Sequence, residues 1–414
     1  MSSPLEQWFV QRLLGAVGNP RIGFELWDGR DVSMVAGAAG ESPVAVLRLH
    51  DREALFKLLY KPTRSFGELY TSGRITVTGD LEAALYEIYG GIRRHRSSRG
   101  RGLRLLDEVR SRRWPGNSPG RARKNIHAHY DLGNPFYELW LDTQYNQYTC
   151  AYYPSADATL EDAQAAKLDL ICRKLALNSS DTVVEAGSGW GGLARYLARH
   201  HGVKVLSCNI SREQVVYARE RAAREGFGNR IEYVEDDYRN LSGSYDVFVS
   251  VGMLEHVGLA GYGELGRVID RCLKKDGRGL IHSIGRSQPK PLNEWIATYI
   301  FPGAYPPVLR EMMRIFEAAD LTVVDVENLR AHYVRTLQHW RERFESSSEE
   351  VARMFDASFV RAWRLYLAGS QTAFRTGDLQ LFQVLFERTG GGRLPETRAR
   401  LFETAAADPG VFDG

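Results

Sequence analysis

From residue 182 onward the chain alternates strand-like and helix-like runs, and this alternation constrains the fold more than any other feature. TVVEAG reads as a strand, GLARYLARHH as a helix, KVLSCNI as a strand and REQVVYARERAAREG as a helix. RIEYVEDD and YDVFVSVGM then read as strands, YGELGRVIDRCLKKDG as a helix and GLIHSIG as a strand. Strands joined by about 10 to 15 residues of helical pattern return through crossovers and lie parallel, which predicts βαβ units in an α/β, doubly wound, mostly parallel sheet. A further helix is expected near 158–177, and no internal repeat interrupts the pattern.

The first part of the chain is organised differently. GFELWDGRDV, PVAVLRLHD and RITVTGD carry strand-forming residues, while DREALFKLLYKP and DLEAALYEIYGGI are helical, so residues 1–92 are expected to form a small α+β domain. Between 93 and 124 twelve Arg or Lys face only Asp107 and Glu108, a local +10. The overall charge of +3 then leaves −7 on the remainder. With its Gly, Ser and Pro this block reads as a basic linker attracted to polyanions, either nucleic acid or an anionic membrane surface. At about 1 kcal/mol per basic residue near an anionic leaflet, half of these charges would give reversible attachment. The larger, second domain is expected over 125–390, with RSQPKPLNEWIATYIFPGAYP at 286–306 as a lid or substrate-contacting insertion. The tail 391–414 is expected to be poorly ordered.

Nothing in the chain approaches the run of about 18 apolar residues that a spanning helix requires. The amino-terminal segment does not read as a secretory signal, because it lacks a basic start and an uninterrupted apolar core. The four cysteines, Cys150, Cys172, Cys208 and Cys272, form no C-x-x-C pair, which argues against a disulfide framework or a structural zinc and points to a reducing cytoplasm. No metal site is expected.

The segment Glu185-Ala186-Gly187-Ser188-Gly189-Trp190-Gly191-Gly192 follows an apolar strand and opens a helix, so its glycines let the chain turn tightly against a ligand at a helix N-terminus. Its spacing fits both a dinucleotide loop and a loop for a nucleoside-methionine cofactor. The dinucleotide loop expects an acid about 20 residues on to hold ribose hydroxyls, whereas KVLSCNIS offers Asn209 and no acid.

Many ordered motifs then narrow the reading. YNQYTCAYY, VVEAGSGWGG, ISREQ, DYRNL, SVGMLEHVG, GLIHSIG, WIATYIFPG, HYVRTLQHW and AFRTGDLQLFQVLFER together resemble the cyclopropane-fatty-acyl-phospholipid synthase family, with its mycolic acid cyclopropane synthase relatives. The likeness runs over about 270 residues from 125 to Arg388. More weakly, FGELYTSGRITVTGD resembles that family's smaller lipid-recognition domain. The chain departs from the family pattern at Glu185, Ser188, Asn209 and Leu254, where Asp, Cys, Thr and Phe are commoner.

The resemblance implies a Rossmann-like methyltransferase sheet and a reaction in which the methyl of S-adenosyl-L-methionine (SAM) is added across a cis double bond of unsaturated phospholipid acyl chains. It also implies a bicarbonate ion as the weakly nucleophilic base that removes a proton from the new methyl. By motif match the anion falls to Cys150, Glu255, His282, Ile284 and Tyr333. His282 and Tyr333 would donate to it, backbone N–H groups at Cys150 and Ile284 could too, and Glu255 would orient or share the proton. The cofactor falls to Tyr148 and Thr149 near its methionine part, to Glu185, Gly187, Gly189 and Gly191 at the turn, to Asn209, Ile210 and Gln214 around the ribose, and to Tyr238 beside adenine. The implied location is cytoplasmic, peripheral to the inner face of the membrane. No nucleic-acid partner is expected, and a homodimer is left open. Competing readings are alkene methylation without ring closure and methylation of a small molecule or nucleic acid.

Overall fold

The computed structural model describes residues 4–32, 42–97 and 132–402. Most of the basic linker (98–124) and the end of the tail (403–414) lie outside the described residues.

Among the described residues eleven strands form two sheets. The first holds β1 (Ile22–Glu25), β2 (Asp31–Val32), β3 (Ala45–Leu49) and β4 (Ile75–Gly79) in the order β2-β1-β3-β4. The second holds β5 (Thr182–Ala186), β6 (Lys204–Asn209), β7 (Ile231–Glu235), β8 (Tyr245–Val251), β9 (Leu273–Arg286), β10 (Leu321–Asn328) and β11 (Leu379–Arg388) in the order β10-β11-β9-β8-β5-β6-β7. In this second sheet the neighbours from β7 through β9 pair parallel, and β11 lies antiparallel between β9 and β10. The doubly wound, mostly parallel α/β sheet read from the alternation is therefore what forms.

The strands are apolar on both sides because helices cover both faces. On one face Leu168, Leu193 and Val215, from the helices Leu160–Leu175, Gly192–His201 and Arg212–Arg224, share a core with Leu280 of β9. On the other, Leu265 and Ile269 from Tyr262–Cys272 and Met312 from Leu309–Glu317 share a core with Ile281 of β9. Chain order reverses at β5, whose neighbours β6 and β8 lead away to opposite edges, and this is where open α/β sheets place a ligand crevice.

A third, aromatic core joins the two parts of the molecule. Phe136, Trp140, Trp340, Trp363 and Tyr366 cluster there with Tyr70, Leu81 and Leu85 from the first part. The contact is also polar: Arg361 donates to the Thr71 carbonyl at 2.8 Å, Arg375 pairs with Glu82 at 2.9 Å and Tyr299 donates to Glu68 at 2.7 Å. Gly67 is required at the seam, since a Cβ there would stand 2.3 Å from the Trp295 ring.

Three local expectations change. The helix expected to end near residue 92 runs on to Ser97. LKKDG, read as the end of a helix, joins β9, with an irregularity in the β8 register that absorbs the extra residues. Residues 391–402, expected to be poorly ordered, are tied down by ion pairs: Arg393 meets Asp276 at 2.6 Å, Asp246 at 3.2 Å and Asp181 at 3.3 Å, and Arg398 meets Asp325.

Candidate active site

At the carboxyl end of β5 the chain makes its turn with Gly187, Gly189 and Gly191 all at positive φ (95°, 50° and 79°). Gly191 has no room for a side chain, because a Cβ would lie 2.5 Å from the Tyr233 hydroxyl and 2.8 Å from the Ala218 Cβ. The amides of Gly187 and Ser188 both donate to the Cys208 carbonyl, at 2.9 and 3.1 Å, and so stitch β5 to β6. These two amides are therefore taken up within the sheet. The glycines serve by close approach, and side chains around the turn offer polar contacts.

Those side chains surround a cavity of about 130 Å³. Tyr148, Thr149, Glu185, Gly187, Gly189, Asn209, Ile210, Gln214 and Tyr238 all line it, while Gly191 lies outside the lining and shapes the turn from behind. Asn209 donates to Gln214 at 2.8 Å and accepts from the Ser211 amide at 3.0 Å. The Nε2 of Gln214 and the hydroxyl of Tyr238 are buried without a protein partner, as expected of groups awaiting a polar ligand. Glu185 accepts from Ser207 at 2.5 Å, and burial pushes its carboxyl up to about 7.

A second, far larger cavity of about 1070 Å³ meets the first along Tyr148, Thr149, Gly252 and His256. All five residues expected to hold the anion line it: Cys150, Glu255, His282, Ile284 and Tyr333. Its wall continues through Trp295, Ile296 and Phe301 of the aromatic insertion and on to Leu14, Phe24 and Leu47 of the first part. The 286–306 segment thus contributes wall to the large cavity.

Glu255 lies in the first turn of the short helix Leu254–Val257 beyond β8 and is 6% exposed. Its Oε1 accepts from the Ile284 amide at 2.6 Å, its Oε2 is buried without a partner, and burial pushes the carboxyl up to about 7. The Ile284 N–H is thereby engaged by Glu255, which removes it as the anion donor suggested by the sequence. His282, on β9, shares its Nδ1 with Gln383 at 3.1 Å and keeps Nε2 buried without a partner. Burial, reinforced by Lys167 and Lys174, holds its imidazole well below the ordinary value, so the ring is neutral.

Cys150 is fully buried, its Sγ 3.2 Å from the Ala151 carbonyl, and burial pushes its thiol far up, so it is a neutral thiol rather than a nucleophile. Tyr333, on the helix Arg330–Ser346, sets its ring 4.4 Å from that of Phe374. Thr149 is fixed from beneath by Lys167, whose Nζ donates to its hydroxyl at 3.0 Å and also to Gln147. Burial lowers this ammonium to about 8.

Lys167, Gln147, Gly252, His256 and Gln383 escaped sequence reasoning. His256 lines both cavities, and its neighbour Glu255 lines the larger one. Lys167 sits within an ordinary amphipathic helix, and nothing in its sequence context marks it as a lysine that points inward.

The strand order, the glycine turn beside β5 and the crevice at the switch point define a class I SAM-dependent methyltransferase fold. Within that class the chain belongs to the mycolic acid cyclopropane synthetase family, whose pattern matches residues 117–384. It is 33% identical over 399 residues to a probable fatty acid methyltransferase of Pseudomonas putida, covering 91% of this chain and 95% of that one. It is 42% identical over 262 residues to the cyclopropane-fatty-acyl-phospholipid synthase of Escherichia coli (strain K12), 63% of this chain and 66% of that enzyme. The crystal structure of the mycolic acid cyclopropane synthase CmaA1 complexed with SAH and CTAB superposes with a TM-score of 0.61 at 27% identity, over 64% of this chain and 98% of that one.

Proposed function

We propose that this protein uses SAM to build a cyclopropane ring across a cis double bond of an unsaturated phospholipid acyl chain. The observation that carries the reading is the pair of buried, unpartnered polar atoms, Glu255 Oε2 and His282 Nε2, on residues lining a mostly apolar cavity that opens onto the glycine-turn cavity. An acyl chain fits the larger cavity by its apolarity, and a small anion able both to accept and to donate hydrogen bonds fits the two orphaned atoms.

When bound at the glycine turn, SAM supplies an electrophilic methyl. Asn209, Gln214 and Tyr238 would hold its nucleoside part, and Tyr148 and Thr149 its methionine part at the seam between the cavities. An alkene is a weak nucleophile, so orientation and exclusion of water supply much of the rate, and the aromatic walls perform both tasks. Bicarbonate, the anion implied by the family, is a proton acceptor too weakly nucleophilic to be alkylated readily. His282 and Tyr333 would donate to it, while Glu255 would accept from its hydroxyl and share the proton. The net change in the lipid is a gain of CH₂: the transferred carbon joins both alkene carbons after losing one proton.

Access from a membrane is supported by the first part of the chain. Leu5, Trp8, Phe56 and Tyr60 stand exposed there, with Arg12, Arg52 and Lys61 placed over the rings of Trp8, Phe56 and Tyr60 at 5.3, 5.8 and 5.5 Å. Aromatic rings flanked by cations suit an anionic lipid surface. No helix among the described residues is long and apolar enough to cross a membrane.

A second reading, alkene methylation that leaves a methyl or methylene branch, is favoured by the likeness to the Pseudomonas putida protein and shares every step up to proton loss. Mass spectrometry of lipids from cells expressing the protein tests both. A gain of one CH₂ on monounsaturated chains is expected, with resistance to hydrogenation marking a ring; lipids of unchanged mass would sink the proposal.

A further inference from the structure

Behind His282 the sheet carries a row of polar side chains that the proposed chemistry does not use. His282 on β9 pairs in register with Gln383 on β11, which pairs in register with Glu327 on β10. Neighbours at one register position share a face, and the helix Leu160–Leu175 crosses this face carrying Lys174. The Lys174 ammonium donates to Gln383 Oε1 at 2.6 Å and also to Glu327, while Gln383 Nε2 meets His282 Nδ1 at 3.1 Å. Lys174, Gln383 and His282 are 2%, 1% and 1% exposed, so water cannot readily replace any of these contacts.

We propose that Lys174 and Gln383 are positioning residues that lock His282 in the tautomer protonated at Nε2, so that the ring presents a donor at the cavity rather than a lone pair.

The argument is one of donor and acceptor inventories. An ammonium has only protons to offer, so the amide atom facing Lys174 must be the oxygen. The other amide atom, the NH₂, then faces His282 and donates, so Nδ1 must accept. A neutral imidazole accepting at Nδ1 carries its proton at Nε2, the atom left without a protein partner. Reversing the amide would set NH₂ against NH₃⁺ in a buried site. Glu327 anchors the far end by holding the ammonium in place. The Gln and the Lys thus transmit a charge at the sheet edge into a proton position at the cavity, through side chains that never touch substrate.

The consequence for turnover rests on the reading of His282 as a donor, whereas the lock itself does not, and one set of measurements separates them. In protein labelled with ¹⁵N in its histidine rings, the His282 signals are assigned by their loss in His282→Asn. The wild type is expected to show a protonated Nε2 and a bare Nδ1. In Gln383→Glu the new carboxylate can only accept, and with Lys167 and Lys174 both opposing a second proton on the ring, the proton is expected to move to Nδ1. Turnover should then fall at least about a hundredfold, with KM for SAM unchanged, the loss associated with a misplaced acid–base group. Lys174→Met, which frees the amide to turn, should give a mixture of tautomers and an intermediate loss. A wild-type ring protonated at Nδ1, or an Nδ1 that stays bare in Gln383→Glu, overturns the lock. If the ring inverts and turnover is unchanged, the lock stands and His282 is not the donor. Should Gln383→Glu fail to fold, the wild-type spectrum decides alone.

Discussion

Glu255 offers a test in which stability and activity move in opposite directions. Burial raises its carboxyl from 4.5 to about 7, so the folded protein holds this proton more tightly than the unfolded chain does. The sign follows from linkage: the stability contributed by the protonated form is fully present below the unfolded value, declines as pH rises from 4.5, and is lost once pH passes about 7. At about 1.4 kcal/mol per pH unit the loss amounts to about 3 kcal/mol. Glu255→Gln keeps the shape and an oxygen for the Ile284 amide but cannot ionise. In bicarbonate-free buffer it should be about 3 kcal/mol more stable than wild type at pH about 8, the gap closing to under about 1 kcal/mol near pH 4.5. Urea unfolding followed by tryptophan fluorescence reads this, since Trp140, Trp190, Trp340 and Trp363 all lie buried in the core beside the cavity. Turnover should fall by about two orders of magnitude or more while SAH affinity, measured by calorimetry, stays within about twofold. A stability gap that does not vary with pH would mean that the carboxyl ionises as it does in water, and the cost assigned to its burial would be refuted. Unchanged turnover would refute its part in the chemistry.

Gly191→Ala must place a Cβ 2.5 Å from the Tyr233 hydroxyl at a φ of 79°, and should destabilise the fold by about 1–3 kcal/mol and weaken SAH binding; calorimetry and thermal melting read both. Asp181→Ala leaves the Arg278 guanidinium, now paired at 2.6 Å and 1% exposed, without its buried partner, and should cost about 3–5 kcal/mol in urea unfolding. All four thiols are buried, and burial raises each of them, so the folded protein at neutral pH should resist a thiol-specific reagent that labels all four after denaturation. Trp8→Ser should weaken co-sedimentation with anionic vesicles about tenfold, the effect of losing one partly inserted aromatic, and leave activity on detergent-dispersed lipid unchanged.

The sequence by itself determined the α/β class and most element positions, because hydrophobic periodicity and glycine punctuation are local signals that survive in the folded chain. TVVEAG could only be a buried strand, and a turn of three glycines could only be a place where backbone comes close to something else. Family motifs carried Tyr148, Thr149, Asn209, Gln214 and Tyr238 to what proved to be one cavity, and Cys150, Glu255, His282, Ile284 and Tyr333 to another. What each polar group spends its hydrogen bonds on was decided only by tertiary structure. The Gly187 and Ser188 amides go to Cys208, and the Ile284 amide goes to Glu255, since a buried N–H takes the nearest acceptor that the packed chain supplies. Lys167, Lys174 and Gln383 were invisible for the same reason. A lysine on an amphipathic helix and a glutamine on a strand look alike in sequence whether they face water or, as here, a neighbour brought in from another part of the chain, where low dielectric gives their contacts weight.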